Sequence, residues 1–334
     1  MANEEVAGRG EHREFLVVAH TGREVVTQTM DAIARHCAAA DVRLRVVDYD
    51  TRHAADEPAP TKPGRERPTS HPVDPEHLRN LGAAVRVTTP EPASAEGCEV
   101  VIVLGGDGTF LRAAELAYPA QVPVLGINLG HIGFLAEAEA NRVDAVMQQL
   151  IAGDYRVEPR MTLDVAVIDP TQPDAPVART WALNEIAILN RTNNGVLELV
   201  TEVDGRPVSA FGADGVLVAT PTGSTAYAFS AGGPVMWPDL EAILVVPSNA
   251  HALFARPLVT SPRSQIAVEI DKRGRAGVAL CDGRRRIDVS AGARVEVVRS
   301  ERSVLWVRID SDPFTDRLVT KFDLPVTGWR GRQA

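Results

Sequence analysis

Apolar residues run unbroken from Phe15 towards His20 and stop at Thr21-Gly22, which reads as a buried strand. From Arg23 to Ala40 the apolar positions Val25, Val26, Met30, Ile33, Ala34 and Cys37 recur at helical spacing, and Arg43–Asp48 is again strand-like. This β-α-β opening predicts a parallel sheet with right-handed crossovers. The same alternation continues with strands at Val85–Val87, Cys98–Leu104 and Val122–Ile127 and helices at Phe110–Tyr118 and Asn141–Ile151. Near residue 155 the period changes. Met161, Leu163, Val165 and Val167 alternate with polar residues, and similar alternation recurs over 196–203, 264–270 and 292–309. Helical spacing nearly vanishes there, so a β-rich region is expected.

The expected fold is therefore an α/β N-terminal domain over 14–154, with a Rossmann-like parallel sheet, followed by a β-rich C-terminal domain over 155–310 built as a layered sheet or sandwich. Residues 311–334 form a separate C-terminal segment. Residues 1–13 are polar and charged and read as a disordered leader. Residues 51–77 hold Pro58, Pro60, Pro63, Pro68, Pro72 and Pro75 among charges, with few large apolar side chains, and read as a mobile surface insertion.

Composition narrows the function. A chain of 334 residues that is 45% hydrophobic can fill sizeable cores. The formal charge is −9, and Lys and Arg are scattered apart from the run Arg284-Arg285-Arg286. Nucleic-acid binding needs a concentrated basic face, so no nucleic-acid partner is expected. Cys37, Cys98 and Cys281 are odd in number and widely spaced, with no CxxC pair, which argues against disulfides and zinc and fits a reducing cytosol. The start of the chain lacks an apolar signal core, and the longest apolar runs fall short of a membrane span. A cytoplasmic location with no membrane partner is expected.

The chemistry concentrates in glycine-rich turns. Val100 to Leu104 ends at Gly105-Gly106-Asp107-Gly108-Thr109 and leads into a helix. Glycines there let the backbone take positive φ and let a ligand approach, and a helix start aims free N–H groups at an anion. A carboxylate does not face a bare phosphate comfortably. Asp107 therefore reads as binding a metal, a sugar hydroxyl or a proton in transit, or as capping the helix. Arg112 could reach the same anion. A second glycine-rich stretch, Gly126 to Phe134, follows the next strand, and two such loops outline the floor of a pocket beyond the strand ends. Phe134 offers an aromatic face to a purine or packs in the core. His131 has no acidic or Cys partner at short spacing and reads as structural.

Asn184-Glu185 sits inside a strand-like run, where neither residue favours burial. Either both face solvent at a strand end, or both are buried and bind a ribose diol or an adenine edge. Phe211 to Ser230 opens with the acidic turn Asp214-Gly215 and leads through a short strand to Thr220-Pro221-Thr222-Gly223-Ser224-Thr225-Ala226-Tyr227. That loop offers hydroxyl and N–H donors without net charge, suited to phosphate or ribose oxygens. There is no Walker A sequence, kinase catalytic loop, GxSxG, HExxH or GxGxxG fingerprint.

Taken together, Gly105 to Thr109, Asn128 to Phe134, Asn184-Glu185, Gly212 to Gly215 and Thr220 to Tyr227 resemble the NAD kinase family in kind, order and rough spacing. The resemblance covers residues 14–325 apart from 51–77. It implies phosphorylation of the 2′-hydroxyl of the adenosine ribose of NAD, giving NADP, with ATP or in some members polyphosphate as donor. It also implies a divalent cation, with Mg²⁺ the expected ion, and a homodimer or homotetramer. On the same basis Asp107 resembles the proton acceptor on the 2′-hydroxyl, with Gly108 and Arg112 at the nucleotide and Phe134 near the adenine. Asn184 and Glu185 match the pair that holds adenine and ribose. Asp214, Ala219, Thr225, Ala226, Tyr227 and Ser230 match positions that contact NAD, with Asp214 in the family often supplied by a neighbouring subunit. The resemblance alone suggests that residues 313–325 return to the first domain. No protein metal ligands are expected, since ATP carries the cation.

Two alternatives differ in class. A diacylglycerol-kinase-type lipid kinase shares the Gly-Gly-Asp-Gly turn, but this chain lacks a basic amphipathic segment for a membrane. A regulatory nucleotide sensor on a degenerate kinase fold would have lost Asp107 or the hydroxyl loop, and both are present.

Overall fold

The computed structural model describes residues 13–19, 24–47, 74–130, 133–136, 138–191, 195–252, 255–309 and 313–326. The chain divides into two compact units, one formed by Met1–Pro159 with Val304–Ala334, the other by Arg160–Ser303.

The first unit begins with β1 (Glu14–Ala19), α1 (Glu24–Ala39), β2 (Arg43–Val47), α2 (Pro75–Asn80), β3 (Val85–Thr88), β4 (Val100–Leu104), α3 (Asp107–Ala120), β5 (Val124–Asn128), the short β6 (Ala138–Glu139) and α4 (Val143–Ala152). Its strands lie parallel in the order β5-β4-β1-β2-β3. Every residue of β4 and β5 is buried, as a parallel strand covered on both faces requires. Val26, Met30, Ile33 and Cys37 of α1 pack into one core with Phe15, Val17, Ile102 and Leu104. Each such side chain contributes roughly 1.5–3 kcal/mol by leaving water.

Strand and helix ends shift by a residue or two from the sequence reading, and three differences change the picture. Residues 75–77, expected in the mobile insertion, form the first turn of α2. Asp74 caps that helix by accepting from the Glu76 N–H, and Pro75 occupies a first-turn position where no N–H is needed. Residues 51–73 of the expected insertion lie outside the described residues. Arg13, expected in the leader, is anchored: its guanidinium grips Glu99 at 2.7 and 2.8 Å and the Ile151 carbonyl at 2.7 Å. Residues 1–12 lie outside the described residues. Finally, α3 starts at Asp107, three residues before the expected helix.

The second unit continues β7 (Arg156–Ile168), which starts in the first, with β8 (Ala178–Ala182), β9 (Glu185–Asn190), β10 (Leu197–Val203), β11 (Arg206–Ala213), β12 (Gly215–Ala219), α5 (Tyr227–Ser230), β13 (Ile243–Ser248), β14 (Leu258–Thr260), β15 (Ile266–Ile270), β16 (Gly277–Cys281), β17 (Arg285–Val289) and β18 (Arg294–Arg308). Six strands form an antiparallel sheet in the order β14-β13-β12-β9-β16-β17. A second layer contains β11-β10-β15-β18, also antiparallel, and the β7–β8 pair. Leu163, Ile188, Leu199, Val218, Val268 and Val295 meet in the core between the layers, so the region is a β-sandwich. The other face of the six-stranded sheet is covered as well. Ala228 and Met236 close over Ala187, Leu217, Leu244 and Val246. The chain then re-enters the first unit, where α6 (Phe314–Phe322) lies.

All three cysteines are free and buried, and burial pushes each thiol up to about 12, so none is a ready nucleophile. Among the described residues no helix is long and apolar enough to cross a membrane.

Candidate active site

In the first unit the site is built where β4 ends. Its five apolar residues carry the chain to the sheet edge, and Gly105-Gly106 turn it directly into α3. The helix cap is Gly106, at φ −95°, and it has no side chain to offer. Asp107 is therefore not the cap. Its carboxylate turns away from its own helix and accepts from the N–H groups of Phe134 at 3.2 Å and Leu135 at 3.0 Å. Those charge-assisted bonds hold the group in one orientation. Gly133 is required by the same contact, because a Cβ there would sit 2.2 Å from an Asp107 carboxylate oxygen.

The glycines of the turn do not act through positive φ as expected, since none of Gly105, Gly106 and Gly108 has it. They act through space. A Cβ at Gly105 would collide with the Thr109 hydroxyl at 2.5 Å, whereas one at Gly106 or Gly108 would meet no atom within 4 Å. The start of α3 thus presents uncovered backbone at the positive end of a helix. Arg112 is half-buried on that helix. At 3.6 residues per turn it lies roughly 140° around the axis from Asp107 and shares its face with Gly108 instead. Arg112 and Gly108 therefore lie on a different face of the helix from the carboxylate. Phe134 is half-buried, and its ring stacks against Phe314 at 6.0 Å and Phe322 at 5.5 Å. His131 lies outside the described residues.

The second unit holds the Asn184-Glu185 pair at the break between β8 and β9. Neither side chain is in solvent: Asn184 is 7% exposed and Glu185 5%. Asn184 Oδ1 and Glu185 Oε2 are buried without a hydrogen-bond partner among the described residues. Leaving each such atom unsatisfied costs about 1–3 kcal/mol. Burial, then the neighbouring Asp282 carboxylate, raise the Glu185 carboxyl from 4.5 to about 8, against the lowering effect of the Tyr227 N–H.

Asp282 was not legible in the sequence. It is buried at φ 53°, its carboxylate accepts from the N–H groups of Leu183 at 3.0 Å and Asn184 at 2.7 Å, and its own N–H donates to the Glu185 carbonyl at 2.9 Å. Arg285 balances it at 2.6 Å and lies over the Trp181 ring, 4.4 Å from its centroid. The basic run Arg284-Arg285-Arg286 thus contributes a structural counter-ion.

The hydroxyl loop also differs from expectation. Thr220 and Ser224 are fully buried, and their hydroxyls are engaged within the protein. Thr220 donates to the Leu183 carbonyl at 2.6 Å and accepts from the Gly223 N–H at 3.1 Å. Ser224 donates to the Pro221 carbonyl at 2.7 Å and accepts from the Met236 N–H at 2.8 Å. They brace the corner and are not free to meet a ligand. Ala219 is fully buried, with its methyl in the apolar cluster and its backbone paired to Glu185. Thr225 and Ala226 are half-buried, and Tyr227 and Ser230 are exposed beside them. Asp214 is exposed at the other end of β12, where Asn249 donates to it at 2.7 Å. Five residues at about 3.4 Å each put it roughly 17 Å from Ala219, so Glu185 and Asp214 are not brought together. Among the described residues no group of three or more His, Cys, Asp or Glu side chains is placed to hold a metal.

The Glu185 environment makes a prediction. A carboxyl raised from 4.5 to about 8 contributes stability that is whole below its unfolded value and is lost as the pH rises towards 8. The groups facing it are Asp282, with Arg285 upon it, and Cys281. Relative to Glu185→Gln, the unliganded wild-type protein is expected to lose stability between about pH 5 and 8, by at most about 1.4 kcal/mol per pH unit. Urea midpoints of both proteins across that range measure it, and parallel pH profiles would contradict it.

Comparisons with known proteins bear on both halves. Residues 15–155 match the family described as "ATP-NAD kinase N-terminal domain", and residues 183–309 match "ATP-NAD kinase C-terminal domain". A protein named NAD kinase from Rhodococcus erythropolis is 58% identical over 325 residues, covering 97% of this chain and 98% of its own. Another of that name from Mycobacterium tuberculosis is 56% identical over 321 residues, covering 96% and 99%. Among solved structures, yeast NADH kinase complexed with NADH superposes with a TM-score of 0.75 at 22% identity, covering 98% of this chain and 91% of that one. An NAD kinase from Archaeoglobus fulgidus in complex with ATP gives 0.63 at 24% identity, covering 93% and 98%. These two structural likenesses speak for the fold.

Proposed function

The chain belongs to the NAD kinase family and is a transferase that phosphorylates NAD, and from that premise we propose how its residues divide the work. The lipid-kinase alternative is set aside, because both parts of the chain match the NAD kinase family. In our reading ATP is the donor and the 2′-hydroxyl of the adenosine ribose is the acceptor. That hydroxyl is a poor nucleophile at neutral pH, and Asp107 takes its proton as the new P–O bond forms. The transferring phosphoryl group carries negative charge, which the start of α3 and Arg112, on the Gly108 face, neutralise. Mg²⁺ enters on the ATP phosphates as part of that substrate.

Asn184 and Glu185 hold the adenine and ribose. The observation that carries this assignment is the pair of buried, unpartnered oxygens, Asn184 Oδ1 and Glu185 Oε2. The adenine amino group can donate to Asn184 Oδ1, and a ribose hydroxyl can accept from the Glu185 carboxyl, which its raised value keeps largely protonated near neutral pH. Tyr227 borders the same corner through its N–H on Glu185, Thr225, Ala226 and Ser230 lie near it along the chain as further NAD contacts in our reading, and Ala219 pairs with Glu185 from the next strand. Asn184→Ala is expected to raise KM for NAD roughly tenfold, the equivalent of about 1.4 kcal/mol, with little change in kcat. Initial rates against NAD concentration test it. An unchanged KM would remove Asn184 from the site.

The donor is tested by replacing ATP with polyphosphate. NADP formed from ATP is the expected result, and NADP formed from polyphosphate alone would overturn the donor assignment. We also propose a cytoplasmic homodimer or homotetramer in which Asp214 serves a neighbouring subunit's site. Its position at the far end of β12 from Glu185 supports this, as do the exposed apolar side chains Tyr227, Phe229, Trp237 and Leu240 along one stretch of chain. Light scattering of the purified protein checks the assembly, and a monomer at working concentration would contradict it.

A further inference from the structure

Asp107 depends on a segment that has no regular structure of its own. Among the described residues, the groups that donate to its carboxylate are the N–H groups of Phe134 and Leu135. Residues 133–136 belong to no helix or strand. Something else must hold those N–H groups in place, and the structure supplies it from the far end of the chain. Arg317 of α6 is 8% exposed. Its Nη1 donates to the Ala136 carbonyl at 3.0 Å and the Phe134 carbonyl at 3.4 Å. The Phe134 carbonyl belongs to the same peptide as the Leu135 N–H that faces Asp107, and the Ala136 carbonyl lies two peptides further along the segment. The Phe134 ring is gripped by Phe314 and Phe322 of the same helix. Around the axis of α6 position 314 falls between 317 and 322, which are roughly 140° apart, so the helix meets the segment over a broad arc, bonding the carbonyls on one side and packing the ring on the other. Beneath the segment, Gly126 lets the backbone of Leu135 and Ala136 come close: a Cβ there would lie 2.8 Å from the Leu135 oxygen.

We propose that Arg317 is a positioning residue for phosphoryl transfer: by fixing the carbonyls of residues 134 and 136 it sets the orientation of the Asp107 carboxylate. This rests on the reading of Asp107 as the proton acceptor. Arg317 is given no catalytic role of its own, because the bonds that define its place go to backbone carbonyls. Its action runs from the guanidinium to the Phe134 carbonyl, through that peptide plane to the Leu135 N–H, and from there to the carboxylate, while the bond to the Ala136 carbonyl anchors the segment behind it. Nη1 carries two N–H groups in the guanidinium plane, so one nitrogen can serve two carbonyls along one strip of backbone.

The test uses full-length Arg317→Met and Arg317→Lys, each assayed for kcat and KM and titrated with NAD by calorimetry. Misplacing a reacting group by about 1 Å costs roughly 100-fold in rate. Arg317→Met is therefore expected to lose kcat on that scale while the Kd for NAD stays near the wild-type value. Arg317→Lys keeps the charge and one bond and should recover part of the loss, and it serves as the readout if the Met variant does not fold. A double variant with Asp107→Asn separates positioning from general weakening. Once the carboxylate is gone, Arg317→Met should cause no further loss of kcat. Wild-type kcat in Arg317→Met beside an inactive Asp107→Asn would overturn this inference alone, as would full additivity in the double variant. An active Asp107→Asn would instead overturn the proton-acceptor reading on which it rests.

Discussion

Replacing Asp107 with Asn is expected to lower kcat by roughly 10²- to 10⁴-fold, the range that a positioned general base contributes, and to leave the Kd for NAD nearly unchanged. The side chain keeps its size, and one amide oxygen can still accept from Leu135 or Phe134. The other N–H group then faces an NH₂, so a stability loss on the order of 1 kcal/mol is also expected. What disappears is the capacity to take a proton from the ribose hydroxyl. The split between kcat and Kd is therefore the informative quantity, with steady-state rates giving the first and calorimetry the second. Near wild-type kcat would show that the proton goes elsewhere.

The second large effect concerns folding of the Asn184-Glu185 corner. Gly223→Ala is expected to destabilise the protein by about 3 kcal/mol or more, at or beyond the upper end of ordinary overpacking, and to abolish NAD binding with it. A Cβ at Gly223 would lie 2.0 Å from the Asn184 carbonyl oxygen and 2.4 Å from its carbon. Neither partner can yield by rotating, because both are backbone. That carbonyl already accepts from the Thr220 N–H at 2.9 Å, and the Thr220 hydroxyl holds Leu183 next to it. Moving the chain to make room would displace Asn184 and Glu185 together. Gly108→Ala is the natural comparison, since its Cβ would meet no atom within 4 Å and the position is helical. There Ala is favoured over Gly by about 1 kcal/mol, so stability should hold or rise, and any lost activity comes from the ligand side. Thermal denaturation of both variants with and without NAD separates the two cases. A Gly223→Ala protein with wild-type Tm and KM would contradict the packing described.

The contrast between these glycines shows what the sequence could reveal. The parallel strands of the first unit were legible because strands buried on both faces are unbroken apolar runs, as in Val100–Leu104. The sandwich was legible from the alternation at Met161 to Val167, one face of which fills its core. The Asn184-Glu185 pair stood out because polar residues inside an apolar run demand a reason. Direction was not legible. Thr220 and Ser224 read as ligand donors, yet burial turned their hydroxyls onto backbone partners. Contacts remote in sequence were hidden as well: Asp282 meets Asn184 across 98 residues, and Arg317 meets Ala136 across 181. Nothing in the local pattern around Asp282 or Arg317 signals those partners, because each is chosen by how the sheets and α6 pack. The start of α3 was misplaced for a related reason. A Gly-Gly pair reads as a loop, but the segment after β4 needed no side-chain cap once Asp107 found its partners in the next glycine-rich stretch.

The central claim is that this chain moves a phosphoryl group from ATP to the adenosine ribose of NAD. Its most direct test is to incubate the purified full-length protein with NAD, ATP and Mg²⁺, and to measure NADP with an NADP-specific dehydrogenase alongside ADP. Equal amounts of NADP and ADP, with neither formed when NAD is omitted, are the expected result. ADP without NADP, or no product at all, would contradict it.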